Sequence, residues 1–334
     1  MGDVDQGLIG VVMNRTDVVS ARERLRSSVH ATPVLRSDYL DRRLKLSLHF
    51  KAEHLQHTGS FKFRGAMNAV NLLKTSGFEG TICTHSSGNH GAALARAGRL
   101  AGYAVTVVMP MGANRLKAQS VVDEGGEIIW CAASNAARLE AVEALQRASN
   151  AHLVPPFDDD RIIAGQGTAA LELLEVCADL DVLLVPVGGG GLLAGSLLAA
   201  EGVSVYGVEP ALADDTARSV ESGIRCGIDQ SMTICDGLRA SVGMRPFEMI
   251  HRDVAGILTV TEEAVTRATA QLWRDLKSWV EPSAATVLAA VNTYRDKFEG
   301  QKVGAILSGG NVDFSALQKA PYQRWLSDEL SSRA

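Results

Sequence analysis

A lysine stands in the run Thr58-Gly59-Ser60-Phe61-Lys62-Phe63-Arg64-Gly65-Ala66, among small residues rather than in a charged surface stretch. Two glycine- and serine-rich loops follow it, Ser86-Ser87-Gly88-Asn89-His90-Gly91 and Gly188-Gly189-Gly190-Gly191. A lysine amine with loops able to hold a phosphate and a carboxylate is what Schiff-base chemistry on an amino acid needs. Lys62 has two readings. A plain surface lysine snorkels to water. A lysine enclosed by Gly59, Ser60, Phe61 and Gly65 has its amine pKa lowered by desolvation and serves as nucleophile or base.

The loop at Gly188-Gly189-Gly190-Gly191 follows an apolar strand and opens a small-residue helix. Glycines let backbone N–H groups approach an anion where the helix dipole favours negative charge, so a phosphate site follows. A ligand-free tight turn is the plainer reading. A sharper rival is the dinucleotide fingerprint, met by Gly189-x-Gly191-x-x-Ala194 with Glu209 20 residues on. A nicotinamide oxidoreductase would use that acid on a ribose hydroxyl. It leaves Lys62, Asn89 and Ser308 without work. The loop Ser86-Ser87-Gly88-Asn89-His90-Gly91 offers hydroxyls, an amide and N–H groups to a carboxylate. Its plainer reading is an N-cap serine with a glycine turn. Ser308-Gly309-Gly310-Asn311 follows the last strand; its hydroxyl can donate to a ring nitrogen, or the segment is simply another turn.

Alternating strand and helix signals place these loops. Helices are expected at 15–29, 65–74, 92–101, 117–123, 136–148, 163–178, 192–200, 262–278 and 284–297. Strands are expected at 47–51, 81–84, 104–110, 127–130, 182–187, 203–208 and 303–307. Such alternation implies parallel sheets with helices on both faces, whose ligands bind at the carboxyl ends of strands. The loops after Thr84, Val187 and Leu307 occupy that position. No repeat, low-complexity tract or Pro/Gly/Ser linker appears, so a second domain is expected to be inserted rather than appended.

The 334 residues suffice for about two domains. A formal net charge of -5 without a basic block argues against nucleic-acid binding. The five cysteines are scattered and form no CxxC pair. This argues against a disulfide framework or structural zinc and suits a reducing cytoplasm. The first residues, Met1-Gly2-Asp3-Val4-Asp5, carry acids where a signal peptide carries bases. The uncharged stretch 182–200 is long enough to span a bilayer, but Pro186 and five glycines fit a strand, a turn and a helix better.

The motifs Ser60-Phe61-Lys62-Phe63-Arg64-Gly65, Ser86-Ser87-Gly88-Asn89-His90, Gly188-Gly189-Gly190-Gly191 and Ser308-Gly309-Gly310-Asn311 stand in family order. Ile163-Ala164-Gly165-Gln166-Gly167-Thr168, Asp236-Gly237-Leu238 and Glu281-Pro282-Ser283 accompany them. Over roughly residues 15 to 312 the chain resembles the serine/threonine dehydratase and serine racemase family of fold-type II pyridoxal-phosphate enzymes. The resemblance implies a tryptophan synthase beta-like α/β architecture of two parallel-sheet domains with the active site between them. The large domain is expected at 1–77 and 154–334, and a small mobile domain at 78–153. Lys62 would carry pyridoxal 5'-phosphate and later remove the Cα proton. Phe61 would pack near the ring and Asn89 meet its hydroxyl. Gly188, Gly189, Gly190 and Gly191 would hold the phosphate, and Ser308 the pyridine nitrogen. A serine there leaves the ring a weaker electron sink, which suits elimination. Ser86, Ser87, Asn89 and His90 would surround the substrate carboxylate.

Ser87 is ambiguous. Racemising members have a serine here that protonates the opposite face of Cα, and so do some dehydratases. Glu209-Pro210-Ala211-Leu212-Ala213-Asp214-Asp215 resembles the family's divalent-cation site, with carboxylates from Glu209 and Asp215 and the carbonyl of Ala213. Oxygen ligands suit Mg²⁺ or Ca²⁺; a solvated acidic turn is the plainer reading. The chain ends soon after Asn311, without room for the regulatory domain of biosynthetic threonine dehydratases, so inhibition by isoleucine is not expected. The expected function is deamination of a 3-hydroxy amino acid such as L-threonine or L-serine to a 2-oxo acid and ammonia. Serine racemisation and action on 3-hydroxyaspartate or 3-phenylserine are alternatives. A non-enzymatic amino-acid-binding protein is a further alternative that does not need Lys62. A homodimer is expected from the resemblance alone.

Overall fold

A computed structural model describes residues 13–86, 88–228 and 231–332. Among these residues, ten strands divide into two sheets. They are β1 (Val34–Leu35), β2 (Ser47–Lys51), β3 (Ile82–His85), β4 (Val105–Pro110), β5 (Glu127–Cys131), β6 (His152–Leu153), β7 (Val182–Pro186), β8 (Ser204–Pro210), β9 (Gly256–Val260) and β10 (Lys302–Ile306). The larger sheet has the order β1-β2-β10-β7-β8-β9 and the smaller β5-β4-β3-β6. Every pairing is parallel except β1 with β2. The expected strands are present. Short β1, β6 and the edge strand β9 lacked a strong periodic signal.

Helices cover both faces of the larger sheet. Glu262–Asp275 and Pro282–Thr293 share one apolar core with β2, β7 and β10. Arg15–Leu25, Asp160–Val176 and Gly191–Ala199 share the opposite core. The Lys62–Thr75 helix instead packs into the core of the smaller sheet, with Asn89–Ala101. It therefore lies where the two sheets meet. Among the described residues no helix is long and apolar enough to cross a membrane.

Several expected boundaries shift for local reasons. The first helix stops at Leu25 rather than near 29, and Asn14 caps it, reciprocated by Asp17. The helix expected from 65 begins at Lys62, so the lysine occupies a first helical turn rather than a loop. The helix expected over 284–297 starts at Pro282 and breaks at Tyr294. Proline at a first turn forfeits no hydrogen bond, which is why it starts this helix.

Two residues after Lys62, the guanidinium of Arg64 is fully buried. It holds Glu53 at 2.7 and 2.8 Å and Glu172 at 2.7 and 2.8 Å. Lys51 adds a 2.7 Å contact to Glu172 and a 2.6 Å bond to the Thr32 carbonyl. Burial alone would lower the Arg64 pKa, but Glu53 and Glu172 outweigh it and raise it. Burial alone would raise the Glu172 pKa, but Arg64 and Lys51 lower it. Two cations and two anions thus cancel across the end of β2, the Lys62–Thr75 helix and the Asp160–Val176 helix. Arg64→Met leaves buried Glu53 without its cation and Glu172 with Lys51 alone, and is expected to cost about 3–5 kcal/mol. Denaturant unfolding checks it. Arg252→Ala, at an exposed pair with Asp253, should leave the midpoint nearly unchanged.

Candidate active site

Three adjacent parallel strands, β2, β10 and β7, deliver the site from their carboxyl ends. The segment after β2 leads to Lys62, the turn after β10 carries Ser308, and the loop after β7 is the glycine run. The first two are joined directly. Phe61 N–H donates to the Ser308 carbonyl at 3.0 Å, and Ser60 bridges Gly309. Gly59 makes the approach possible. It has a φ of +71°, and a Cβ there would lie 2.5 Å from Asn311 Oδ1.

Lys62 Nζ donates to the Pro156 carbonyl at 2.8 Å and lies 5.1 Å and 5.9 Å from the ring centres of Phe61 and Phe157. Part of the residue remains accessible, yet the amine is packed densely enough that desolvation lowers its pKa to about 8. No carboxylate pairs with it among the described residues. This is the enclosed reading of the lysine: an amine present in substantial neutral fraction at ordinary pH.

The glycine run ends in a helix N-terminus. Gly190 has a φ of +84°, serves as N-cap of Gly191–Ala199 and offers no side-chain cap. A Cβ on Gly189 would meet Phe157 at 2.2 Å, and one on Gly190 would meet Pro246 at 2.8 Å. The first-turn N–H groups therefore remain available to an anion. The rival dinucleotide reading loses its ribose acid. Glu209 is fully buried and accepts from Thr216 N–H at 3.2 Å and Ala217 N–H at 3.0 Å, capping the Asp215–Ser222 helix.

The other sequence-expected residues fall as follows. Ser308 is buried behind Phe61. Asn89 opens the Asn89–Ala101 helix, donates to Glu281 at 2.9 Å and accepts from Asn311 at 2.9 Å. The Ser86 hydroxyl turns inward and accepts from Gly88 N–H and Gly91 N–H at 3.2 Å each, so it shapes the loop. His90 lies in the helix's first turn, with Nε2 3.2 Å from the Val154 carbonyl. Burial, then the charge of Lys62, pushes its pKa down to about 3, so the ring is neutral. Ser87 lies outside the described residues. Among the metal candidates, Asp215 accepts from Val242 N–H at 2.8 Å through one oxygen, and its other oxygen is buried without a partner. Burial, with Asp215 nearby, raises the Glu209 pKa to about 8; burial raises that of Asp215 too. Ala213 is buried beside them in sequence. Among the described residues no three His, Cys, Asp or Glu side chains cluster as metal ligands.

Pro156, Phe157, Lys117 and Glu281 had no assigned role in the sequence. Lys117 Nζ reaches Asp236 at 2.6 Å and Glu281 at 3.7 Å. Burial raises the Glu281 pKa to about 7 despite Lys117. These contacts join residues far apart in the chain, and no local spacing announces them.

A model of the family described as pyridoxal-phosphate dependent enzyme matches residues 25–309. This chain belongs to that family. It is 40% identical to a serine racemase of Dictyostelium discoideum, covering 91% of this chain and 96% of the relative. It is also 40% identical to an L-threo-3-hydroxyaspartate ammonia-lyase of Saccharomyces cerevisiae, covering 91% and 94%. A solved threonine deaminase, from T.th., shares 40% identity and superposes with a TM-score of 0.85, covering 90% of this chain and 98% of that one. The architecture is that of the fold-type II members. The residues present fit the cofactor: an amine with no carboxylate partner among the described residues, a glycine cradle that no Cβ could share, and buried polar atoms of Thr58, Ser60 and Gln166 without partners. Only a neutral amine attacks an aldehyde. The rate at which pyridoxal phosphate forms its absorbance band with the cofactor-free chain should rise with pH through a midpoint near 8. Lys62→Ala should form no band. Stopped-flow absorbance checks both, and a pH-independent rate would refute the assignment.

Proposed function

We propose that this chain is an ammonia-lyase that converts a 3-hydroxy amino acid such as L-threonine or L-serine to a 2-oxo acid and ammonia. The observation that carries this reading is Lys62: an amine near pKa 8 with no acid partner, beside Phe157, which also meets Gly189, and near enough to His90 for its charge to act there. Bound pyridoxal phosphate supplies an electron sink for charge developing at the substrate's Cα. Lys62 then takes the Cα proton onto Nζ. First-turn N–H groups at Asn89 and His90 would receive the substrate carboxylate, and Asn89, held by Glu281 and Asn311, would meet the cofactor's ring hydroxyl. His90 stays neutral and orients the loop. Ser308 would offer a neutral hydroxyl to the ring nitrogen, where it would leave the sink weak and favour loss of the β-hydroxyl over a long-lived carbanion. The β-hydroxyl leaves as water with a proton equivalent to the one Nζ received, and water returns when the released enamine hydrolyses, so the balance is hydroxy amino acid to oxo acid plus ammonia.

A second reading, action on 3-hydroxyaspartate, has its own support. Burial and the charge of Arg138 lower the pKa of His85, next to the Ser86 loop. His85 is therefore neutral, and the cation whose charge reaches it is Arg138, which suits a second substrate carboxylate; a relative at 40% identity is named for that reaction. Serine racemisation requires Ser87 as the second proton carrier. Residues 78–153, which include β3 to β6, form the small mobile domain in this reading, and two copies assemble in the cytoplasm. Glu209, Asp215 and the Ala213 carbonyl would hold Mg²⁺ or Ca²⁺, whose charge suits two buried carboxyls of raised pKa.

Two measurements test these assignments. Incubation of the holoenzyme with serine, threonine, 3-hydroxyaspartate and 3-phenylserine isomers should release 2-oxo acid from at least one class. Silence from all four, with recovery of the opposite enantiomer, would replace the lyase by a racemase. Separately, Mg²⁺ should raise the melting temperature of the wild-type chain and not that of Glu209→Gln or Asp215→Asn. An equal shift in all three would remove the cation site.

A further inference from the structure

The Asp160–Val176 helix runs between the two elements that build the site. On one side it meets the Gly191–Ala199 helix so closely that a Cβ on Gly167 would lie 2.4 Å from the Gly195 carbonyl oxygen. On the other it meets the Lys62–Thr75 helix, where a Cβ on Gly165 would lie 2.7 Å from the Arg64 carbonyl oxygen. Gln166 sits between these contacts. Its Cγ is 3.0 Å from a Cβ placed on Gly65, and its Oε1 is 2.8 Å from one placed on Gly191.

The Gln166 side chain is fully buried. Neither Oε1 nor Nε2 has a hydrogen-bond partner among the described residues. A buried amide with both ends unmatched is costly, and packing alone is served better by methionine or leucine. The space beside it is an anion site by construction. Gly190 caps the helix with no side chain, and the helix's first turn holds no acidic residue. Its N–H groups and dipole favour negative charge. Oε1 is what a side chain on Gly191 would meet first, and a half-turn of the amide puts the NH₂ donor there instead.

We propose that Gln166 is a phosphate-binding residue: its side-chain amide donates to the cofactor's phosphate, directly or through one water, alongside the N–H groups of the glycine run. Gln166 is then a ligand contributed by neither of the loops that frame the site. The assignment rests on the cofactor site and is independent of which amino acid is the substrate.

The test compares two ligands of the cofactor-free full-length chain, pyridoxal phosphate and pyridoxal. Both react with Lys62, and only one carries a phosphate. Dissociation constants come from the absorbance band, so no turnover is needed. Gln166→Met keeps the volume without the donor, and Gln166→Glu keeps the shape and adds a buried negative charge. Circular dichroism establishes that each variant is folded. Gln166→Met should weaken pyridoxal phosphate by about tenfold or more, as expected for a lost hydrogen bond to a charged group. Gln166→Glu should weaken it further, by about a hundredfold, through like-charge repulsion. Pyridoxal should change less than about threefold in both, since it makes no charged bond to lose. Equal weakening of the two ligands would reduce Gln166 to a packing residue and overturn the proposal, as would unchanged binding of both. If a variant fails to fold, the remaining one decides through the same ratio. If both fail, inorganic phosphate must protect the wild-type Gly191–Ala199 first turn and the Gln166 amide from hydrogen exchange; exchange of that amide unaffected by phosphate would overturn the proposal. A missing band in the wild-type chain would refute the Lys62 assignment and is distinguishable from each of these results.

Discussion

The site depends on how charge is shared along one turn of helix. Lys62 and Arg64 are two residues apart, and both are cations in crowded surroundings. Arg64 takes both available acids, Glu53 and Glu172, through the planar fork that suits paired carboxylates. Lys62 is left with a backbone carbonyl. One cation is thereby fixed in the charged state, and the other sheds its proton easily. The same quartet anchors the helix to β2 and to the Asp160–Val176 helix, so the electrical arrangement and the mechanical one are a single device. Its balance of two positive and two negative groups makes it tolerable in an interior where an odd charge would be expelled.

Neutrality recurs around the amine. His90 is held uncharged by burial, and Ser308 brings a hydroxyl where an acid could have stood. Glu281, next to Asn89, has its pKa raised by burial despite Lys117. The strong charges near Lys62 are thus either matched or suppressed. A phosphate and a carboxylate arriving together bring negative charge to a place that offers N–H groups and a helix dipole instead of competing anions. Such a surface suits both kinds of anion and sets no carboxylate against Lys62 to hold its proton.

Much of this was legible in the sequence because it is local. The glycine run, the Ser86 loop and the Ser308 turn each sit beside a strand with a clear apolar signature, and parallel α/β logic puts them at one rim. The start of the helix at Lys62 was less legible. Phe61 precedes it with no capping side chain, and the turn is fixed by Arg64 and by Gly59 meeting Asn311. Long-range contacts left no trace at all. Nothing near Lys117 predicts Asp236, and nothing near Lys62 predicts Pro156. Gln166 could be read as part of a family motif, but its unmatched amide appears only when three helices are brought together. β1 and β6 were missed because two residues are too few to show a period, and Tyr322–Ser331 was missed although Tyr322 and Leu326 give it an apolar face against the core.

The position of β10 has a consequence for how the molecule is made. Although last in sequence, β10 lies inside the larger sheet, with Lys302 beside Ser47 on one side and Val303 beside Val182 on the other. During synthesis β2 and β7 have no bridge between them until the final strand leaves the ribosome. The Ser308 carbonyl that receives Phe61 N–H arrives with that same strand. Pairing across so long an interval makes completion of the sheet a late event. Nascent chains therefore carry the lysine and the glycine run without the seat that aligns them, and a chain cut short before residue 302 loses the keystone of the sheet rather than an edge.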